Sequence, residues 1–211
     1  MQPVGDELTR LKAENKTLRL ENKRLKELVV LDPLTEIYNR RGLEQRLAPL
    51  LDEVRYQTKQ PQYLRRHAPQ SFALVIIDID YFKRVNDQYG HESGDEVLKQ
   101  FGRRIQQSLR ATDVFGRWGG EEFMLGLADV DAASAQIVVA KLHEAIRSQP
   151  FRLSSEHGAE TAPITASFGV AFAHPKETID RLKQRADRAL FQSKQAGRDT
   201  ITIHTYTENL E

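Results

Sequence analysis

The chain has 211 residues, enough for one well-cored domain with a segment to spare. Its 31 Lys and Arg nearly balance 30 Asp and Glu for a net charge of +1, which argues against a general nucleic-acid coat protein. The absence of cysteine excludes disulfides, zinc–thiolate sites and a cysteine nucleophile. No apolar run approaches the roughly 20 residues that span a bilayer, and the N-terminus lacks the short apolar core of a signal peptide. The expectation is a soluble, cytoplasmic chain with no nucleic-acid or membrane partner.

Composition shifts near Asp32, dividing a helical stalk (residues 1–31) from a globular domain (residues 32–211). Asp6 to Val30 holds no Gly or Pro. Leu11, Leu18 and Leu25 form the d series of a heptad, and Leu8, Asn15, Asn22 and Val29 the a series. Glu14 and Glu21 fall at g, with Arg19 and Lys26 at the e positions five residues on, as a parallel two-stranded coil requires. Two Asn at a cost stability but fix register. A lone amphipathic helix docked on its own domain is the alternative; the parallel homodimer is the better reading. Fully helical, the segment would be about 37 Å long.

The remainder reads as mixed α/β. A helix follows Asn39 into the 50s, with Pro49 as a possible kink or break. Lys59 to Gln70 reads as an exposed connection. Phe72 to Ile79 has the near-continuous apolar pattern of a buried central strand. Ser93 to Arg110 has helical spacing, and two strands flank a Gly119-Gly120 hairpin turn. A helix over Ala132 to Ser148, a strand over Ile164 to Ala173, a helix over Ile179 to Gln195 and a strand over Thr200 to His204 complete the order.

The central strand closes on Asp78-Ile79-Asp80, and alternation puts both acids on one face. Acids closing a buried strand are costly unless a cation or donor offsets them. Glu121 and Glu122 follow the Gly-Gly turn. Carboxylates from two neighbouring strands suit Mg²⁺ with phosphates completing its shell. On chemistry alone, a phosphate–metal site and a plain charged hairpin both stand.

Gly119-Gly120-Glu121-Glu122-Phe123 resembles the signature of GGDEF-family diguanylate cyclases in its GGEEF form. It is joined in family order by Asp32-Pro33-Leu34-Thr35 through Arg40, by Asp78 to Lys83, by Asn86 to His91 with Gly94-Asp95-Glu96, and by Ala186 to Leu190 with Lys194 to Arg198. The resemblance implies a palm like that of nucleotidyl cyclases and polymerases, a central sheet packed by helices. It implies condensation of two GTP into cyclic di-GMP by a dimer with one GTP per monomer. By the same resemblance Asp78, the Ile79 carbonyl and Glu121 are Mg²⁺ ligands, Mn²⁺ being able to substitute, and Glu122 is a further catalytic carboxylate. Asn86 and Asp95 correspond to guanine readers, and Phe82, Lys83, Lys194 and Arg198 to residues holding the triphosphate. Arg110 to Asp113 resembles the RxxD motif at which product inhibits. Glu36 departs from the family pattern, standing where Gly is usual. Three rivals are a receptor that has lost turnover, an enzyme making a mixed or adenine-containing cyclic dinucleotide, and a coiled-coil adaptor. Asp95 opposes the second, because a carboxylate facing adenine N1 sets two acceptors against each other.

Overall fold

The computed structural model describes residues 4–59, 71–155, 158–174 and 177–204. The chain divides into two compact units, Met1–Val30 and Leu31–Glu211. The first is one helix, α1 (Val4–Leu28). On it Leu11 and Leu18 are 55% and 57% exposed, and Asn15 between them is exposed too. The side chains of Leu8, Asn22 and Leu25 lie outside those described. Among the described residues no helix is long and apolar enough to cross a membrane.

The second unit is built on a five-stranded sheet of order β2-β3-β1-β6-β7. In chain order its elements are α2 (Arg40–Lys59), β1 (Phe72–Ile79), α3 (Phe82–Tyr89), α4 (His91–Gln106), β2 (Val114–Gly119) and β3 (Glu122–Ala128). Then follow α5 (Ala132–Arg147), β4 (Phe151–Ser155), β5 (Gly158–Ala162), β6 (Ala166–Phe172), α6 (Ile179–Gln195) and β7 (Ile201–His204). All pairings in the five-stranded sheet are antiparallel except β6 with β7. Strands β4 and β5 form a separate hairpin.

All eight residues of β1 are buried, because it is paired on both edges and covered on both faces. Ala73, Val75, Ile77 and Ile79 join a core with Val97, Phe101 and Ile105 of α4 and Leu142 of α5. Phe72, Leu74 and Ile76 join a second core with Leu43 and Leu47 of α2 and Leu182 and Leu190 of α6. Alternation along β1 therefore aims Asp78, next in the even series, at the α6 side.

Pro49 lies inside α2 without ending it. A proline there costs about 3 kcal/mol, but Leu43, Leu47, Leu51 and Val54 are buried along one face. At roughly 1.5–3 kcal/mol for each such side chain, their burial outweighs the lost bond. The connection expected over Lys59 to Gln70 falls outside the described residues, apart from Lys59, which ends α2. Helix α4 starts two residues earlier than the spacing suggests and ends at Gln106, short of Arg110. Helix α3 and the β4–β5 hairpin were not legible in the sequence.

The turn opening the second unit is tied to Asp32. Its carboxylate accepts from the backbone N–H groups of Leu34 and Thr35, from the Thr35 hydroxyl and from Arg117. Burial pushes this carboxyl up, but the Thr35 donors and the Arg117 charge outweigh it and hold it below the usual value. Glu36, in the same turn, has φ +61, which a side chain adopts only at a cost. Glu36→Gly is accordingly expected to stabilise the fold by about 1 kcal/mol, read as a higher urea midpoint at unchanged slope.

Candidate active site

The site forms where β1 ends beside the β2–β3 hairpin and the last turn of α6. Asp78 is buried and pairs across the strands with Glu122. The Lys194 ammonium lies 2.8 Å from Asp78 Oδ2. The hairpin differs by one step from the sequence expectation. Gly119 belongs to β2 and pairs with Glu122, so the turn is Gly120-Glu121, with Gly120 at φ +50. A bulge at Trp118 accompanies it. Arg117 secures the turn, its Nε donating to the Gly120 carbonyl at 2.8 Å and its Nη1 reaching Asp32 at 3.4 Å. Trp118 carries Arg40 of α2 and Lys183 of α6 on its ring, at 4.4 Å and 4.8 Å.

Three carboxyls here are pushed above their usual range. For Asp78 the first cause is burial, opposed by Lys194 and added to by Asp80. For Glu121 and Glu122 it is burial, then the charge of Asp78, with Lys194 again opposing. The Lys194 ammonium thus acts on all three acids, and Arg198 adds to it at Asp78. Among the described residues no three His, Asp or Glu side chains form a metal cage by themselves. Mg²⁺ does not need one, since it is held by one or two carboxylates plus substrate phosphates. Hard oxygen donors pressed together beside Lys194 and Arg198 have the chemistry that suits such an ion.

Asp80 lies in the turn just past β1. Its carboxylate accepts from Ser167 Oγ and Thr165 Oγ1, each at 2.7 Å, and from the Asp199 N–H at 2.9 Å. Ser167 is also the cross-strand partner of Asp78, so the two acids share a face as alternation requires. Asp80 is nevertheless committed to holding loops.

Asn86 is half-buried on α3, and Asp95 is exposed in α4. The helices meet at Gly94, where a Cβ would lie 1.9 Å from Asn86 Oδ1 and 3.2 Å from the Phe82 ring. Gly94→Ala is expected to rotate Asn86 and destabilise by about 1–3 kcal/mol, measurable by denaturant unfolding. The Phe82 side chain is buried in the core, so only its backbone N–H, at the start of α3, is available to an anion. Lys83 is exposed, whereas Lys194 sits among the carboxylates and Arg198 lies on the ring of Tyr81. Sequence reasoning singled out Asp80 as an acid that needs a cation or donor but not the partners it finds, and it missed the supporting roles of Arg117, Tyr81 and Asp199. The signal available was their position within or directly beside the motifs.

Arg110 and Asp113 lie apart from this site, in the turn between α4 and β2. The Arg110 N–H donates to the Asp113 side-chain Oδ2 at 2.9 Å, and the Asp113 N–H donates to the Arg110 carbonyl at 3.1 Å. Both line a groove of about 370 Å³ with Glu36, Tyr38 and Leu109.

The class these observations define is a mixed α/β domain with an acidic centre at the end of its central strand and basic helix residues beside it. The profile of the family described as "Diguanylate cyclase, GGDEF domain" matches residues 29–200, and the chain belongs to that GGDEF family of diguanylate cyclases. It is 35% identical over 179 residues to the response regulator PleD of Caulobacter vibrioides, covering 83% of this chain and 36% of that protein. It is 35% identical over 185 residues to the diguanylate cyclase DgcP of Pseudomonas aeruginosa, covering 87% of this chain and 25% of that protein. The chain therefore spans only about a quarter to a third of these relatives. Among solved structures, the coiled coil and GGDEF domain of DgcB from Caulobacter crescentus with c-di-GMP gives a TM-score of 0.74 at 26% identity. That likeness covers 96% of this chain and all of the other. Diguanylate cyclase SiaD of Pseudomonas aeruginosa, in complex with its activator SiaC, gives 0.70 at 34% identity over 94% of this chain and 71% of that one. The mixed α/β fold expected from the sequence agrees with these structures.

Proposed function

We propose that this chain is a diguanylate cyclase that condenses two GTP into cyclic di-GMP with release of two pyrophosphates, as a homodimer with one GTP per protomer. The observation that carries the reading is the cross-strand pair of Asp78 and Glu122, with Lys194 as its counter-charge. Family membership supports the reading, and the family's nucleotidyl cyclases generally work with a divalent metal.

Asp78, Glu121 and the Ile79 carbonyl hold Mg²⁺, or Mn²⁺ in its place. When bound, the ion supplies Lewis-acid stabilisation of phosphate charge and orients the reacting groups. Asp95 accepts from the guanine N1–H and N2–H₂ edge, and Asn86 donates to and accepts from the same base. Phe82 and Lys83, with Lys194 and Arg198, hold the triphosphate. The 3′-oxygen of one GTP attacks the α-phosphorus of the other as the bond from that phosphorus to the bridging oxygen breaks and pyrophosphate leaves, and the reciprocal attack closes the ring with loss of the second pyrophosphate. Glu122, made more basic by burial and by Asp78, takes the hydroxyl proton. Two protomers must face each other antiparallel to join their half-sites. The division into a coiled-coil segment (residues 1–31) and a catalytic domain (residues 32–211) belongs to this reading, with exposed Leu11 and Leu18 as the seam.

Incubation with GTP or ATP and Mg²⁺, with products resolved by chromatography, tests the reading. Cyclic di-GMP from GTP alone is expected. Its absence from an assembled dimer, under conditions that remove product, overturns the proposal. Gly94→Ala is expected to raise KM for GTP through its effect on Asn86. Arg110 and Asp113 are assigned to binding cyclic di-GMP as inhibitor. Arg110→Ala is expected to shift the inhibition curve at least about tenfold, in line with loss of a charge-assisted bond; an unchanged curve removes the assignment.

A further inference from the structure

Two backbone segments beside Asp78 carry side chains in left-handed conformations. Tyr81 has φ +56, Arg198 φ +68 and Asp199 φ +47, next to Gly197 at φ +112. Positive φ is uncommon for a bulky residue such as Tyr, and strain of this kind persists only where neighbours over-determine it. The neighbours here do so. Asp80 binds the Asp199 N–H, Arg198 N–H donates to the Ser193 carbonyl at 3.1 Å, and Phe82 is anchored in the core. The Asp199 carboxylate lies 2.7 Å from His143 Nε2 and 3.8 Å from Arg147 Nη1.

This stitching brings together three side chains that the nucleotide reading leaves only partly used. The Tyr81 ring is 48% exposed. The guanidinium of Arg198 lies 4.6 Å from its centroid, with Nη1 3.4 Å from the phenol oxygen. The guanidinium of Arg84 also lies 4.6 Å from that centroid. Arg198 is close enough to Asp78 to lower its pKa. Free arginine side chains lose rotamer freedom on gripping an anion, and a pre-formed stack removes part of that cost.

We propose that Tyr81 is a positioning residue that holds Arg84 and Arg198 as a pair aimed at the terminal phosphates of the nucleotide, and that Arg84 is a further phosphate-binding residue. The proposal rests on the nucleotide reading of the site. A pair aimed at the terminal phosphates finds no such group on a monophosphate, so it discriminates a triphosphate from a monophosphate. A cation–π contact at an exposed position is worth about two- to fivefold in an equilibrium constant, so two set the range at about five- to twentyfold.

The test is steady-state kinetics of the full chain with GTP, with GMP as competitive inhibitor, and calorimetric GTP binding to the unaltered chain. Tyr81→Ala is expected to raise KM for GTP five- to twentyfold, with kcat within about twofold and the GMP inhibition constant unchanged. Tyr81→Phe keeps the ring and is expected to stay within about twofold of the unaltered chain. Arg84→Gln is expected to raise KM about two- to fivefold. Unchanged KM in Tyr81→Ala, equal weakening of GTP and GMP, or a Tyr81→Phe variant as impaired as Tyr81→Ala would each overturn the proposal while the parent reading stands. An unaltered chain that binds no GTP overturns both.

Discussion

Glu122→Gln is expected to lower the rate of cyclic di-GMP formation by on the order of 10²–10⁴-fold, the usual contribution of a positioned acid–base group, while leaving the fold as stable as before or more so. Gln keeps the shape of Glu but cannot take a proton or carry the charge. Burial, and then the Asp78 charge, raise the Glu122 carboxyl above its unfolded value, as burial raises Asp78 and Glu121. Such a group binds protons more readily in the folded state. The stability it contributes is fully present below the unfolded carboxylate value and is lost as pH rises through the raised one. At neutral pH the crowding of ionised acids is therefore fully expressed, and Gln removes one member of it. The melting temperature of Glu122→Gln at pH 7 is expected to equal or exceed that of the unaltered chain. The difference should shrink as pH falls into the raised carboxylate range. A lower melting temperature at pH 7 would mean that ionised Glu122 stabilises the fold, and retained turnover would mean that another group takes the proton. A site that sacrifices stability in this way is the ordinary trade between activity and fold.

What the sequence revealed and what it hid divide along range in the chain. The eight-residue apolar run of β1 and the periodic run of α6 were legible with the bounds observed, because each is long enough to display its own period. Helix α3 was not, since its eight residues bury only Phe82 and Val85. Strand β4 is five residues long and is held to α4 by Gln100, which exchanges two hydrogen bonds with the Arg152 backbone 52 residues away. No local pattern encodes that pairing. The same limit applied to the site. The motif acids could be named from spacing and resemblance, but Asp80 finds its partners 85, 87 and 119 residues on, at Thr165, Ser167 and Asp199. Glu121 could be read as following the turn; only strand register, with Gly119 opposite Glu122, puts Glu121 inside it.

Deleting residues 1–28 is expected to lower specific activity at nanomolar protein by about 10²-fold or more and to make the rate second order in protein. Joining two modules converts their encounter into an intramolecular one, and gains of 10²–10⁴-fold are usual without any new contact. Each protomer is assigned one GTP, so no product can form until two meet. Both of the cores described above are drawn from the unit that begins at Leu31, so the deletion removes none of their residues. A denaturant midpoint measured on the deleted chain separates proximity from stability. Raising protein concentration is expected to restore the rate, and initial rates alongside light scattering would follow the recovery. A deleted chain whose specific activity matches the full chain at nanomolar protein, independent of concentration, would exclude the stalk as the source of proximity. Failure to recover at high concentration would carry a different meaning: the stalk would then set orientation as well as nearness. The two Asn of the a series suit that second role, because a buried Asn fixes the register of the paired helices at the expense of their stability.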